Sequence, residues 1–539
     1  LTTFSDLVQE ARERMQRDAL ATELLNSDNS LAAGSIGTIA YADAVGVYLS
    51  LAQSRISQYW SNITSWHNAG EKLQPVFGRQ AIPMIWDFSE GNPLSDSTGN
   101  FHGSIDWIEK CVQTLPYNSS GKVLSADASR QSVSDGKVVS TDPPYYDNVP
   151  YADLSDFFYV WLRRSLKSVF PDLFATLAVP KTEELVAFAY RHENGKAGAE
   201  AFFLDGMTQA MHRLAEQVHP AFPVTVYYAF KQSESESDSG TASTGWETFL
   251  AAVIRAGFAV TGTWPMRTEM RGRVRDRGDS NALASSIILV CRPRPHDAPI
   301  TTRRDFLKAL HSELLAALKT LQHGNIAPVD MAQATIGPGM AIFTRYAKVL
   351  ESDDRPMQVR TALQLINQAL DEYLSEQEGE YDADTRFAIT WFETHGMDEG
   401  PYGVAETLAT ARGVAVNGVQ EAGILMAKGG KVRLLKREEM PENWNPATDT
   451  RLTVWEATQQ LIRTMQTKGE SVAGELITRL GSIAETARDL AYRLYGICER
   501  KKWAEEALAY NSLVIAWPEL TRLAAQVTER KPVPGDFGF

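Results

Sequence analysis

The spacing of apolar and polar residues changes character along the chain. Over residues 1–120 apolar positions recur close to every 3.6 residues, as in Phe4–Met15 and Tyr41–Ala52, and predict helices. A dense polar–aromatic stretch, Ile82-Pro-Met-Ile-Trp-Asp-Phe-Ser-Glu-Gly-Asn-Pro93, reads as a loop. From residue 121 the period shortens. Lys122–Ala126, Lys137–Ser140, Pro223–Phe230, Phe258–Trp264 and Ser285–Cys291 are short apolar runs that predict strands. Ala199–His219 and Trp246–Ala256 have helical spacing, and Gly257 stops the second. The polar run Gln232–Thr244 predicts a mobile loop. Strands alternating with helices, then closing on two successive strands, predict an α/β fold with a largely parallel sheet. Beyond residue 296 helical spacing returns. Within it, residues 385–436 run helix, Gly/Pro turn, helix, Gly413, helix and the apolar run Lys431–Leu435. That order suggests a winged helix, although a plain helical bundle produces a similar pattern.

A chain of 539 residues exceeds one ordinary domain, and with 44% hydrophobic and 22% charged residues it can bury several cores. The divisions expected are a helical region over 1–120, an α/β core over 121–295, a helical connector over 296–380, the winged helix over 381–440 and a helical bundle over 441–539. Cys111, Cys291 and Cys498 lie far apart without ligand spacing to any His, which argues against a disulfide framework and a metal site. No run is long enough to span a membrane, so a cytoplasmic protein is expected. The net charge of −14 points away from nonspecific nucleic-acid binding by the chain as a whole. One segment departs from it: Arg267-Thr-Glu-Met-Arg-Gly-Arg-Val-Arg-Asp-Arg277 sets five arginines against two acids. Phosphate contact and a solvated loop both remain open for it. Gly34-Ser-Ile-Gly-Thr38 lacks the preceding strand and the lysine of a phosphate loop.

Chemistry concentrates in Val138-Val-Ser-Thr-Asp-Pro-Pro-Tyr-Tyr-Asp-Asn148. A short apolar strand runs into Asp142-Pro143-Pro144-Tyr145, and residues just past a strand's carboxyl end form the ligand crevice of open α/β sheets. The two prolines fix φ and carry no N–H, so the strand must stop. The Asp142 carboxylate and the Pro143 carbonyl are then acceptors on a stiff loop. Such a pair can grip the hydrogens of an aromatic amine, favour a pyramidal nitrogen, and stabilise the positive charge that develops as the nitrogen is alkylated. Tyr145 offers a face on which an extruded base can stack, worth roughly 1–3 kcal/mol. An adenine inside a duplex must first be flipped out.

This motif resembles the Asp-Pro-Pro-Tyr motif of amino methyltransferases of the adenine-N6 class. Leu1-Thr-Thr-Phe-Ser-Asp-Leu7, Pro83-Met-Ile-Trp-Asp-Phe-Ser-Glu90, Asp142 to Phe158 and Gly262-Thr-Trp-Pro-Met-Arg267 narrow the resemblance. They are similar to large prokaryotic adenine-specific DNA methylases that often accompany phage-defence genes. The resemblance implies a partial class I (Rossmann-like) methyltransferase sheet with large helical additions, its last strand inserted antiparallel, and makes 121–295 the catalytic core. It further implies S-adenosylmethionine as cofactor, DNA with a flipped adenine as substrate, and protein partners in a defence complex. In that family a Gly-rich cofactor loop lies upstream of the matching region. It is not found in this sequence, which implies N-terminal truncation.

Further residues carry two readings each. The resemblance places Asp127 near the cofactor; a helix N-cap is the alternative. Tyr146, Asp147, Asn148 and Tyr151 contact the target base or serve the turn. Trp86, Asp87, Glu90 and Asn92 close over a pocket or simply pack. Arg267, Arg271 and Arg273 follow a strand end and suit phosphate contact, and Asn281 could orient that loop. Phe157, Phe158, Tyr159 and Trp161 are expected in a core, while His67, His192, His212 and His219 are incidental. The winged helix would recognise DNA through a positive face of Lys428, Lys431, Arg433, Lys436 and Arg437, or bind a partner subunit. Two rival functions remain: the same chemistry on structured RNA or cytosine N4, and a noncatalytic DNA-binding or scaffold subunit.

Overall fold

A computed structural model describes residues 1–21, 29–78, 81–115, 121–228, 244–267 and 285–529. The protein is mixed α/β and predominantly helical. It divides into two compact units: Leu1–Gln131 with Pro144–Phe203, and Ser132–Pro143 with Leu204–Phe539. Among the described residues no helix is long and apolar enough to cross a membrane.

The first unit holds α1 (Thr2–Ala21), α2 (Thr38–Ser57), the small antiparallel pair β1 (Trp66–His67) and β2 (Lys72–Leu73), α3 (Phe101–Thr114) and α4 (Tyr151–Leu166). Its packing is unusually polar. Asp43 of α2 is fully buried and takes the Arg12 guanidinium at 2.6 Å and the Leu31 N–H at 3.1 Å. Gln53 bonds Ser5 of α1 at 2.5 Å and Ser165 of α4 at 3.1 Å, so three helices share one buried hydrogen-bond chain. Phe77 meets Phe157 and Phe158 at 5.2 and 5.3 Å, which places that aromatic run in packing. The strand expected at Lys122–Ala126 does not form. Those residues are irregular and exposed, Val123 at 97%. An apolar run has no strand preference of its own without a neighbour to bond and pack against, and none pairs with it among the described residues.

The second unit is built on a four-stranded sheet: β3 (Ser140–Thr141), β4 (Val224–Tyr228), β5 (Phe258–Arg267) and β6 (Ser285–Pro293), in the order β3-β4-β6-β5. Helix α5 (Gly195–Gln217), which spans the division between the units, precedes β4, and α6 (Thr244–Arg255) precedes β5. Strands β3 and β4 pair directly in parallel, and β5 runs in the same direction as both. The last strand, β6, inserts between β4 and β5 and is antiparallel to both. Three of the four strands thus run in one direction, and β6 alone runs against them. The placement of β6 between β4 and β5 is not encoded by the alternation of elements along the chain.

Beyond the sheet lie β7 (Ile300–Thr302), α7 (Arg303–His323), α8 (Pro328–Thr344), β8 (Lys348–Leu350) and α9 (Val359–Glu376). Helix α8 is buried along most of its length and lies against the edge strand β5. Its Gly337-Pro338-Gly339 sequence explains the fit. Pro338 has no N–H, so the Ala334 carbonyl four residues back loses its helical donor; the Thr263 hydroxyl of β5 supplies one at 3.2 Å. A Cβ on Gly337 would stand 2.6 Å from the Thr263 backbone nitrogen, so only glycine permits the approach. Two turns beyond Gly337 the Thr344 hydroxyl accepts from the Val260 N–H at 2.9 Å, beside the bulge in β5.

Residues 383–434 run α10 (Ala383–His395), β9 (Gly400–Pro401), α11 (Tyr402–Arg412), α12 (Val416–Glu421), β10 (Leu425–Lys428) and β11 (Lys431–Leu434), with the antiparallel sheet order β10-β11-β9. This is the element order of a winged helix. Then follow α13 (Val454–Lys468), α14 (Glu470–Leu480), α15 (Ser482–Lys501) and α16 (Ala504–Glu529). Fully buried Trp391, Trp455 and Trp517 fill this region. The Asp382 carboxylate caps α10 through Thr385 and also accepts the Val454 N–H that opens α13, so the two helices start from one anchor. The start of α8 is gripped by the bundle: Asn511 accepts the Val329 N–H at 3.2 Å, and Tyr492 donates to the Ile326 carbonyl at 2.5 Å.

One buried carboxyl stands out. Glu456 on α13 lies beneath Gly423, where a Cβ would meet its Oε1 at 2.8 Å. Burial, then the neighbouring Asp449 carboxylate, push its pKa up to about 8. A group raised in this way stabilises the fold below its ordinary value near 4.5, and that stabilisation is lost as pH rises to about 8.

Two outcomes are expected. Gly337→Ala lowers the unfolding free energy in urea by about 1–3 kcal/mol, because α8 must move off β5. Wild-type stability declines between pH 5 and pH 8 by up to ~1.4 kcal/mol per pH unit from this group. Glu456→Gln removes that part of the slope, and parallel curves for the two proteins would contradict the assignment.

Candidate functional site

Strand β3 is short but well anchored within its unit. Ser140 and Thr141 pair with Thr225 and Val226, and the Thr225 N–H bonds the Val139 carbonyl at 3.1 Å. Upstream, the Gln217 carbonyl accepts the Gly136 N–H at 2.8 Å and the Lys137 carbonyl accepts the His219 N–H at 3.0 Å. The strand then stops at the two prolines, as their chemistry requires. Asp142 is exposed and Pro143 is buried. The backbone leading to Asp142 is thus held in place, and its carboxylate faces solvent.

The division between the compact units falls between Pro143 and Pro144. In the first unit, Pro144 and Tyr145 are half-buried, and the Asn148 N–H closes a turn onto the Tyr145 carbonyl at 2.8 Å. Tyr146 has φ of +23°, a conformation that non-glycine residues adopt at a cost. Its ring is buried edge-on against Phe203 at 5.1 Å, and its carbonyl accepts the Ala187 N–H at 2.7 Å. So placed, Tyr146 packs the core and has no open face for a base.

What holds this loop was not visible in the sequence. Glu184 accepts the Ala152 N–H at the start of α4 at 2.9 Å and the Arg191 guanidinium at 2.8 Å. Arg191, with its side chain only 14% exposed, also pairs with Asp153 at 2.6 Å. Its charged form is favoured strongly: desolvation opposes it, but the bonds to Glu184 and Asp153 outweigh that and raise the pKa. These three residues lie 31 to 38 positions apart, or seven, with no periodic signal to link them.

The other expected site residues are distributed differently. Asp127 is exposed and takes the hydroxyl and N–H of Ser129 at 2.7 and 2.8 Å, which hold its carboxyl below the usual range. It thus caps its own turn. Arg267 ends β5 with its backbone paired to Ser285, and Arg271, Arg273 and Asn281 lie outside the described residues. Trp86 is 98% exposed, while Asp87 and Asn92 accept from the nearby Phe88 and Leu94 N–H groups. Around the β10-β11-β9 sheet, Lys431 pairs with Glu399 at 2.9 Å and Arg433 with Glu439 at 2.5 Å. The Arg433 bond pulls the Glu439 carboxyl down to about 2. Arg437 is taken by Glu506 at 2.5 Å. The expected positive face is largely neutralised by its own acids.

A cavity of about 550 Å³ is lined by Phe392 of α10, Met397, Arg437, Trp503 and Glu506 of α16, among others. None of the Asp142–Tyr145 turn lines it. Among the described residues no group of three or more His, Cys, Asp or Glu could hold a metal ion.

Comparison with known families finds a match to a domain of unknown function (DUF8807) over residues 382–537. That segment opens on the Asp382 cap and takes in the winged-helix elements and the bundle. No curated protein and no solved structure matches the chain.

Arg191→Ala should lower the stability of the first unit by about 1–3 kcal/mol, discounted for partial exposure. Amide exchange at Ala187 and Asn148 should accelerate with it. Unchanged exchange at both amides would show that the network does not hold the loop.

Proposed function

We propose that this chain carries the target-amine site of a methyltransferase acting on adenine N6 in DNA, within a restriction–modification or phage-defence system. The observation that carries the reading is Asp142-Pro143-Pro144-Tyr145 placed directly after β3, at the carboxyl end of a strand with a parallel neighbour. The order β3-β4-β6-β5, with β6 inserted antiparallel, supports it, since the resemblance implies that arrangement for the second half of a class I methyltransferase sheet. In this reading the Asp142 carboxylate and the Pro143 carbonyl accept the two N6 hydrogens and stabilise charge as it develops on nitrogen. Tyr145 stacks on the flipped base.

S-adenosylmethionine would supply the methyl group. The described residues offer it no cradle: none is a strand running into a Gly-rich turn, and the Asp127 carboxylate is occupied by Ser129. The residues here account for the grip on the amine and not for binding of the sulfonium donor. A second reading, a noncatalytic scaffold or DNA-binding subunit, draws support from the same gap. The paired cations of the winged helix favour a protein partner over DNA for that module.

In cells that carry the gene, Asp142→Ala should reduce N6-methyladenine at least ~100-fold, read by mass spectrometry of digested DNA. Retained methylation removes Asp142 from the mechanism. Methylated cytosine would move the acceptor to N4, and the absence of any methylated base in wild type favours the scaffold.

A further inference from the structure

We infer that the Tyr227 hydroxyl reads the target base alongside Asp142, donating a hydrogen bond to the ring nitrogen that flanks the amine. The assignment rests on the methyltransferase reading. Strands β3 and β4 lie in one compact unit and pair in parallel, with Thr141 opposite Val226. One residue further along each strand, the same register sets Asp142 beside Tyr227, on neighbouring backbones about 4.8 Å apart. Their side chains share a face of the sheet. The Ser140 and Thr225 hydroxyls bond each other at 2.9 Å, which fixes that face, and residues two apart on a strand project to the same side. Tyr227 is two beyond Thr225, and Asp142 is two beyond Ser140. Asp142 lies past the last residue of β3, but it precedes a proline, which confines it to extended backbone, so the alternation carries through it.

The neighbouring polar groups on β3 and β4 are committed elsewhere. Ser140 and Thr225 satisfy one another. Tyr228 faces the other way, and its ring is buried and stacked on Phe249 at 4.1 Å. Tyr227 is only half-buried, and among the described residues its hydroxyl makes no hydrogen bond and is not sealed from water. A phenol with a partly packed body and a wet tip suits polar recognition. An open donor beside an open carboxylate matches one edge of an aminated base. The amine offers hydrogens, which Asp142 and the Pro143 carbonyl accept; the adjacent ring nitrogen offers a lone pair, which the phenol O–H meets. Guanine and thymine present the reverse polarity there, a carbonyl beside an N–H. Their carbonyl would face the carboxylate and their N–H would face a donor, so the pair rejects them as well as accepting adenine.

The probe is a fluorescein-labelled single strand of about twelve deoxyadenosines, in which no base needs extruding from a duplex. It is compared at low salt with strands built from 1-deazaadenine, which lacks the ring nitrogen beside the amine, and from 7-deazaadenine, which keeps it. By fluorescence anisotropy, the wild-type chain should bind the adenine and 7-deazaadenine strands alike, and the 1-deazaadenine strand about 3- to 10-fold more weakly. Tyr227→Phe should lose that same factor on the adenine strand and bind all three strands alike. A tyrosine that only supports the fold would weaken all three equally and keep the wild-type preference. Discrimination retained in Tyr227→Phe, or missing from wild type, would overturn the role of Tyr227, as would failure of the wild-type chain to bind the adenine strand. The Asp142 reading is decided separately, by N6-methyladenine in cells.

Discussion

The second unit depends on how one edge strand is covered. Strand β5 ends its sheet, and an open edge exposes unpaired backbone groups to water or to other chains. Helix α8 closes that side through an exchange between the two elements: Pro338 leaves the Ala334 carbonyl without a donor, and the β5 residue Thr263 provides it. Gly337 brings the backbones close enough for this to happen. Because the start of α8 is held by Asn511 and Tyr492, the same helix ties the sheet to the C-terminal bundle. The strand that leads to Asp142 and the segment matched to the domain of unknown function thus belong to one compact unit.

The candidate site uses rigidity in a comparable way. An acceptor that must wait for a developing charge is most effective if it has nothing to reorganise. Asp142 follows a strand anchored on β4 and is stopped by two prolines, and the loop beyond is held by the strained Tyr146 and by Glu184 with Arg191. Electrostatics constrain the wider picture. The chain carries a net charge of −14, and three cations expected to face DNA are paired with their own glutamates.

Several elements were legible from residue spacing alone. The runs read as strands at 223–230, 258–264 and 285–291 form β4, β5 and β6, and the intervening apolar periodicity forms α5 and α6. Such readings succeed where the pattern reports a face buried in any packing arrangement. They fail where a neighbour decides. Lys122–Ala126 is no less apolar than Lys137–Ser140, but only the latter region finds a strand to pair with, and then over two residues. The charged residues around the turn failed for a related reason: Asp153, Glu184 and Arg191 mean nothing until the chain folds back.

By itself the sequence determined where the chain stops and stiffens. A strand cannot continue through Asp142-Pro143-Pro144-Tyr145, because proline fixes φ and lacks the N–H. Only the tertiary structure decided what that interruption serves. It inserted β6 between β4 and β5, directed Thr263 to the Ala334 carbonyl and buried Tyr146. Covalent geometry is local and can be read residue by residue, whereas partners for strands, charges and rings come from distant parts of the chain.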